Sequence, residues 1–303
     1  GKIETVVVSL LGIGENNQSI LVIINNQTKL VFRIGLRKQL EKNMKKEFLN
    51  LRLIPEHLGP QPLFFDHSKK IIPHVYSVMS YMEGKSKVHW TDNDLRLHAK
   101  ALAALHKKKF DYWRTIGKKK QVFDLYKKFN RDIAGFKDVL QDKDVVLLLP
   151  VMRSYLQEHN FLFTELKRFS LIHGDVCNNN ILFYCGAIHY IDWEWVSIRD
   201  NAEDVARIYS RDADILPWYI KLSDKQLSLF ITQYLKYNPD KTLKKRVEVW
   251  NNLLLFTELL YFKWKLKHFK TETSILPERH YEYSLKLLVK SFKRRFNMAP
   301  DKS

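Results

Sequence analysis

The sequence predicts an α/β (α+β) chain in two lobes, in which a small antiparallel sheet precedes a larger, mostly helical region. The first part contains short segments rich in β-branched and apolar residues, separated by Gly, Asn and Gln turns. The remaining two-thirds places apolar residues at three- and four-residue steps, as amphipathic helices do. With 303 residues, of which 45% are hydrophobic, the chain is long enough to bury a sizeable core.

Three strand-like segments open the chain, and turn-forming residues separate them. Short apolar segments joined by brief turns favour antiparallel neighbours, so we expect a three-strand meander. The segments are Val6–Leu11, Ser19–Ile24 and Lys29–Ile34.

The first connection of this meander runs from Gly12 to Asn17 and contains Gly14 and Asn16. Glycine allows close approach of a ligand to the backbone, and amides in such a turn can face a phosphate. A plain hairpin turn would use the same glycines. The pattern is more informative because it precedes both Arg33 and the segment His173–Asn180 in the chain.

A helix with one buried face is predicted from Leu40 to Ile54. Leu40, Met44, Leu51 and Ile54 form an apolar stripe along this helix, and Glu47 falls on the same face. An unpaired buried carboxylate is costly, so Glu47 needs a cationic partner. The alternative is a Glu at the helix edge that reaches solvent.

Asp175, Asn180 and Asp192 stand where phosphoryl transfer would need them. Such chemistry requires oxygen ligands for a divalent metal and a carboxylate near the acceptor hydroxyl. The alternating segments Asn180–Tyr184 and Ala187–Ile191 predict a hairpin, which would return Asp192 to the level of Asp175. Each residue taken alone could be an ordinary turn former. Their joint spacing favours a phosphotransferase site.

The segments HGDVCNNN (His173–Asn180) and IDWE (Ile191–Glu194) resemble those of the aminoglycoside phosphotransferase and choline kinase superfamily. Members of that superfamily have HGDxxxxN and a strand ending in I-D-(W/F)-E. The resemblance implies that Asp175 is the catalytic base. It also implies that Asn180 and Asp192 hold Mg²⁺ and that ATP is the phosphoryl donor.

The same resemblance implies a protein-kinase-like fold with a nucleotide-binding lobe at residues 1–83 and a helical lobe at residues 84–303. Gly174 stands where eukaryotic protein kinases have Arg, so we expect no activation loop controlled by phosphorylation. A small hydroxyl compound is therefore favoured over a protein as the acceptor.

Residues of the first lobe can also be matched to the family. Its phosphate-side loop often reads G-x-(S/T)-N, and Asn16 and Asn17 match that pattern with Asn in place of the hydroxyl residue. Arg33 occupies the third-strand position where kinases place the Lys that contacts nucleotide phosphates. Its guanidinium can contact two phosphate oxygens at once. We expect Arg33 to pair with Glu47.

The apolar strand Tyr76–Gly84 corresponds to the hinge between lobes in that family. By this match, Ser80 would offer its carbonyl and Met82 its amide to the adenine edge. Such contacts use the backbone, so the side chains do not identify them, and a core strand without ligand is the alternative.

The second lobe begins with a helix over Leu95–His106, preceded by Thr91, Asp92, Asn93 and Asp94 in a capping pattern. Further helical patterns cover roughly Pro150–Leu166, Ser223–Tyr237, Leu243–Phe269 and Pro277–Phe296.

The formal net charge of +18 is not required by a kinase. It could mark an anionic substrate, an acidic membrane surface or nucleic acid, although no nucleic-acid motif is visible and none is expected as a partner. Charge runs are most often solvated surface. No segment predicts a membrane span or signal peptide, and the two cysteines favour a reducing cytoplasm.

The sequence is compatible with several classes of acceptor. The helical lobe contains aromatic residues that could form a box for a quaternary ammonium, as in choline kinases, or that could be core. An ethanolamine-like amino alcohol, an aminoglycoside or another small metabolite are further candidates. A nucleotide-binding pseudokinase or a basic binding module are alternatives of another class. The aromatic residues are Trp193, Trp195, Trp218, Tyr219, Trp250, Tyr261 and Trp264, and an acidic patch for an aminoglycoside could use Glu194, Asp200, Glu203 and Asp204.

Overall fold

The computed structural model describes residues 2–14, 17–36, 41–111, 122–208, 214–271 and 274–299. It has the predicted two-lobed α/β architecture. A five-stranded antiparallel sheet with strand order β1-β2-β3-β5-β4 and one helix, α1 (Glu41–Leu51), form the first lobe. The strands are β1 (Val6–Ile13), β2 (Asn17–Ile24), β3 (Thr28–Gly35), β4 (Pro62–Asp66) and β5 (Tyr76–Ser80).

The first three strands confirm the predicted meander. The connection between β1 and β2 is shorter than the predicted Gly12–Asn17, because pairing continues to the contact of Ile13 with Gln18. Gly12 and Asn17 therefore belong to strands, and the amide of Gly14 closes the turn by donating to the Asn17 carbonyl at 2.8 Å. The predicted loop residue Asn16 lies outside the described residues.

The buried stripe of α1 matches the prediction. Met44, Glu47, Leu51 and the following Ile54 are all buried, and Leu40 lies outside the described residues. The carboxylate of Glu47 is thus enclosed with apolar side chains, which makes a cationic partner necessary.

The chain passes from β5 to the second lobe through residues 81–91, and hydrogen bonds tie this segment to the later part of the chain. The Phe183 amide donates to the Lys85 carbonyl at 3.0 Å, and the Tyr190 amide donates to the Leu58 carbonyl at 2.7 Å. These contacts fix the later hairpin against the first lobe.

Helices form most of the second lobe. The first of them, α2, confirms the predicted capping box: the Thr91 side chain accepts from the Asp94 amide, and Asp94 accepts from the Thr91 amide. The helices are α2 (Asp92–Leu105), α3 (Leu125–Asp132), α4 (Lys143–His159), α5 (Phe161–Thr164), α6 (Ala202–Arg207), α7 (Asp224–Tyr237), α8 (Leu243–Lys267) and α9 (Glu278–Arg295).

One helix prediction is wrong at both ends. The segment predicted roughly from Pro150 to Leu166 is observed as two helices: α4, which begins seven residues earlier and contains Pro150 in its interior, and the short α5, which ends at Thr164. Asp142 starts the helix by accepting from the Asp144 amide at 2.9 Å. Proline is tolerated best in the first turn of a helix, but here the cap at Asp142 starts the helix before it.

Two small sheets complete the second lobe. The predicted hairpin is present as β8 (Ile181–Tyr184) and β9 (Ala187–Tyr190). Strands β6 (Lys109–Asp111), β7 (Arg168–Ile172) and β10 (Ser197–Arg199) form the other sheet, with β7 in its centre. No helix within the described ranges is long and apolar enough to cross a membrane.

Candidate active site

The loop that follows β7 is held by a buried carboxylate. Asp204 on α6 accepts from the backbone amides of His173 at 2.7 Å and Gly174 at 2.8 Å. The His106 ring lies 3.1 Å from the same carboxylate. Burial opposes ionisation of Asp204, but these contacts outweigh it and lower the pKa of Asp204 to about 2. A fixed anion therefore holds the backbone of the loop.

Gly174 meets a conformational demand that other residues would not. Its φ is +83°, and a Cβ atom at this position would lie 2.5 Å from the backbone carbonyl oxygen of Trp195. A larger residue would clash with backbone that cannot easily move. No side chain comparable to the Arg of protein kinases fits at this point.

The His173 side chain links the loop to the end of the hairpin. Its Nδ1 accepts from the Asp175 amide at 3.2 Å, so Nε2 carries the proton and donates to the Ile191 carbonyl at 2.9 Å. Burial lowers the pKa of His173, which keeps the ring neutral in this bridging role.

Asp175 and Asn180 are brought together by the loop. The Asn180 amide group donates to the Asp175 carboxylate oxygen Oδ2 at 3.1 Å and to the Asp175 carbonyl at 3.0 Å. On the other side, Asp175 Oδ1 lies 3.2 Å from the guanidinium of Arg207. Burial raises the pKa of Asp175, and the neighbouring Arg207 partly offsets this effect.

Asp192 lies just after the hairpin and directly follows Ile191, whose backbone is hydrogen-bonded to Asn180. The Ile191 amide donates to the Asn180 carbonyl at 3.0 Å, so the two predicted metal ligands lie at the same edge. Asp192 has a φ of 63°, a left-handed conformation that Asp tolerates better than most residues. Burial raises the pKa of its carboxyl, but Arg33 prevails and holds it below the ordinary value.

Arg33 contacts Glu47, as predicted, at 3.0 Å. The same guanidinium also donates to Asp192 at 2.5 Å and lies 3.8 Å from Glu194. Arg33 thus joins the first sheet, helix α1 and the end of the hairpin. Burial raises the pKa of Glu47 to about 7, although Arg33 acts in the opposite direction. The contacts with Asp192 and Glu194 were not foreseen.

The predicted hinge residues lie where β5 leaves the sheet. The Ser80 amide donates to the Gln61 carbonyl at 3.0 Å, and the Ser80 hydroxyl accepts from the Gln61 amide at 2.8 Å. Met82 follows in the segment between the lobes. Their predicted contacts with adenine stay predictions.

The donor set suits Mg²⁺ held jointly with a nucleotide. Mg²⁺ usually binds one or two protein carboxylates together with substrate phosphates. Asp192 and the amide oxygen of Asn180 are hard oxygen donors of this kind, and the latter accepts from Asn179 at 3.1 Å. The described residues contain no group of three or more His, Cys, Asp or Glu able to hold a metal ion alone.

Three of the four residues that could have formed an acidic patch for an aminoglycoside are not available for it. Asp200, Glu203 and Asp204 are buried, because each has a partner inside the protein. Asp200 pairs with Arg246 at 3.1 Å, Glu203 pairs with Arg199 at 3.0 Å, and Asp204 holds the loop. These carboxylates cannot serve as an exposed surface for a polycation.

Of the seven aromatic residues, Trp195 is exposed, Tyr261 and Trp264 pack against the core, and the other four lie in the core or beside a cavity. Trp193 and Trp250 are buried and donate their indole N–H groups inside the protein, to the Tyr190 carbonyl and to Asp200. Trp218 and Tyr219 instead line a small cavity beside the loop. The full lining is Trp90, Val176, Asn178, Ile181, Arg207, Ile208, Trp218, Tyr219 and Ile220.

Sequence reasoning missed Arg207 and the anchoring role of Asp204. Both lie on α6, a six-residue helix in which Glu203, Asp204 and Arg207 are all charged. Three charges in six residues do not predict a buried helix, so no local sequence signal pointed to either role.

The two-lobed fold, with the loop His173–Asn180 before a hairpin that leads to Asp192, has a protein-kinase-like architecture. The chain belongs to the phosphotransferase enzyme family, whose model matches residues 7–243. The family match identifies the chain as a phosphotransferase enzyme. No curated protein matches the sequence.

Solved structures share the fold at low sequence identity. An ethanolamine kinase of Plasmodium vivax has a TM-score of 0.70 and 18% identity, and the match covers 96% of this chain and 83% of that one. The streptomycin-ATP-APH(2")-IIa ternary complex has a TM-score of 0.63 and 15% identity over 96% and 94%. A choline kinase from Cryptosporidium parvum has a TM-score of 0.58 and 17% identity over 96% and 90%.

Proposed function

We propose that this protein is a Mg²⁺-dependent O-phosphotransferase that transfers the γ-phosphoryl group of ATP to a small amino alcohol of the choline or ethanolamine type. The observation that carries the proposal is the position of Asp175. Its carboxylate has Asn180 on one side and Arg207, which lines the aromatic cavity, on the other. A base between a metal ligand and a cavity suits transfer from a nucleotide to a hydroxyl compound.

On the donor side, Asn180 and Asp192 would hold Mg²⁺. The bound ion would neutralise the negative charge of the ATP phosphates. Arg33 stands beside Asp192 and would extend its guanidinium to the phosphates. Gly12, Gly14, Asn16 and Asn17 would border the phosphates, and the backbone of Ser80 and Met82 would contact adenine. Glu47 keeps Arg33 in place.

On the acceptor side, Asp175 would orient the hydroxyl group and receive its proton as the new O–P bond forms. The cavity beside it is lined in part by the rings of Trp90, Trp218 and Tyr219, and at about 20 Å³ it must widen to admit an ammonium group. Aromatic faces attract an ammonium group, and the Tyr219 hydroxyl donates to Glu258 at 2.5 Å, which adds negative charge nearby. These features favour a compact cation that also carries a hydroxyl group.

An aminoglycoside is the second candidate acceptor, because the streptomycin-ATP-APH(2")-IIa complex shares the fold. A polycation normally meets several free carboxylates. Three of the acidic residues nearest in sequence to the hairpin are buried and paired here, which makes this candidate weaker.

The test is a phosphorylation screen with Mg²⁺ and ATP against choline, ethanolamine, thiamine, aminoglycosides, sugars and nucleosides, read by mass spectrometry of the products. We expect a phosphomonoester of an amino alcohol. Asp175→Asn should remove most turnover and leave ATP affinity nearly intact, since the base touches the acceptor. Asp132→Asn makes the same chemical change at an exposed surface pair and should keep full activity.

Other outcomes would assign the chain elsewhere. Phosphorylation of an aminoglycoside would show that the acceptor is an aminoglycoside and not an amino alcohol. Intact ATP binding without transfer to any acceptor would indicate a pseudokinase. Tight binding of RNA or anionic vesicles that falls steeply with salt would indicate a basic binding module, consistent with the net charge of +18.

A further inference from the structure

One face of helix α6 contacts the catalytic loop at two points. Asp204 accepts from the backbone amides of His173 and Gly174, and Arg207 contacts the side chain of Asp175. Residues three apart on a helix lie on the same face. The helix therefore fixes both the backbone of the loop and the side chain of its proposed base.

The two carboxylate oxygens of Asp175 have different surroundings. Oδ2 accepts from Asn180 at 3.1 Å and lies 3.6 Å from the thiol of Cys177, on the side of the proposed metal site. Oδ1 lies 3.2 Å from Arg207. Because Arg207 also lines the aromatic cavity, Oδ1 is the oxygen on the acceptor side.

The guanidinium of Arg207 is largely buried but has few hydrogen bonds. Its second contact is the Tyr219 hydroxyl at 3.5 Å, and its Nε is buried without a hydrogen-bond partner among the described residues. A buried charge with so few partners is an expensive way to stabilise a fold. The contact with Asp175 therefore indicates that Arg207 has a role in the function of the site and not only in stability.

We propose that Arg207 is a positioning residue for phosphoryl transfer, which holds Oδ1 of Asp175 at the mouth of the cavity where the acceptor hydroxyl arrives. This inference rests on the proposed role of Asp175 as the base. Without Arg207, the carboxylate can rotate about its side-chain bonds and lose its alignment with the hydroxyl. A misplacement of about 1 Å in a reacting group can lower the rate by roughly 100-fold.

Arg207→Met keeps the length and apolar stem of the side chain and removes its charge. We expect kcat to fall between about 10- and 100-fold, while the Kd for Mg·ATP stays within about twofold, because Arg207 does not contact Arg33 or Asp192. Arg207→Lys, which restores a cation, should recover at least part of the lost kcat. Lys263→Met, which removes a cation paired with Asp142 and Asp144 elsewhere in the lobe, should leave kcat unchanged.

Two kinetic results would overturn the inference. One is a kcat for Arg207→Met within twofold of the wild-type value. The other is a parallel loss of kcat and nucleotide affinity, which would indicate general damage to the fold. Where Arg207→Met does not fold, Arg207→Gln replaces it in the same comparison.

Crystal structures of the wild-type protein and of the Arg207 variant provide a readout that does not depend on turnover. We expect Oδ1 of Asp175 to contact Arg207 in the wild-type protein and to leave that position in the variant. An unchanged Asp175 in the variant would refute the positioning role. If the contact is present but the wild-type protein phosphorylates no acceptor, the proposed function fails and the contact between the two residues stands.

Discussion

Removal of Arg33 should leave one carboxylate stranded in the protein interior. The guanidinium contacts Glu47 and Asp192 directly, with Glu194 at 3.8 Å. The side chain of Asp192 is 38% exposed and can stay hydrated without a partner, whereas that of Glu47 is 5% exposed and cannot. Loss of one partner from a buried pair typically costs about 3–5 kcal/mol. We therefore expect Arg33→Met to lower the free energy of unfolding by about that amount.

Glu47→Gln should cost less, roughly 1–2 kcal/mol, because the amide oxygen still accepts from Arg33 and the cation keeps Asp192 and Glu194. In the double variant, no charge is stranded beside α1. Its loss should therefore be smaller than the sum of the two single losses by about 1–3 kcal/mol. Urea unfolding of the four proteins measures this coupling energy, and titration calorimetry with Mg·ATP measures the parallel effect on nucleotide affinity.

The pH dependence adds a second readout for the same pair. The pKa of Glu47 is raised to about 7 even with Arg33 present, so loss of the cation raises it further. A carboxyl with a raised pKa in the folded state binds its proton more tightly there, so stability falls as pH rises. We expect Arg33→Met to lose about 1.4 kcal/mol per pH unit between about pH 4.5, the ordinary pKa of a glutamate, and pH 7, relative to the double variant. Additive single effects, or equal slopes in both proteins, would refute the pairing.

Four shorter predictions test the site and the fold around it. Asp192→Ala should weaken Mg²⁺-dependent ATP binding as well as turnover, and calorimetry that shows an unchanged Mg²⁺ requirement would remove it from the metal site. Gly174→Ala should lower both Tm and kcat, because its Cβ meets the Trp195 carbonyl at φ +83°. Thr91→Ala should cost about 1 kcal/mol in urea unfolding through loss of the cap. Burial lowers the pKa of His98 to about 3, so protonation of the unfolded chain costs stability as pH falls below about 6.5. Between pH 7.5 and 5, His98→Gln should therefore lose about 2 kcal/mol less stability than the wild-type protein.

Features that depend on neighbouring residues could be predicted from the sequence. The meander and the hairpin follow from short apolar or alternating segments that are separated by turn residues. The start of α2 follows from a capping box within four residues. The stripe on α1 also marked Glu47 as buried and in need of a cation, and the resemblance to kinases supplied Arg33 as that cation. Apart from the choice of Arg33, these inferences use a period or a spacing that the chain displays directly.

Features that depend on the meeting of distant segments were predicted less well. The sequence showed that Glu47 needed a cation, but not that Arg33 would also contact Asp192, which lies 159 positions later. The error at Pro150 has a similar origin. The helix predicted to start near Pro150 begins instead after the cap at Asp142, and residues on both sides of the proline are buried against the rest of the lobe.

The apolar-stripe reasoning that marked Glu47 as buried would not have marked Asp204, because three of the six residues of α6 are charged. It would not have found the partners of Asp204 either. Two of them are backbone amides, and every residue except proline has one, so no residue type marks the donors. Once these amides are known, however, α6 is fixed against the loop at Asp204. The residue one turn later on the same face must then lie beside the loop, and that residue is Arg207. The positioning contact with Asp175 thus follows from the anchoring contact of Asp204, and a change that loosens Asp204 should also disturb Arg207.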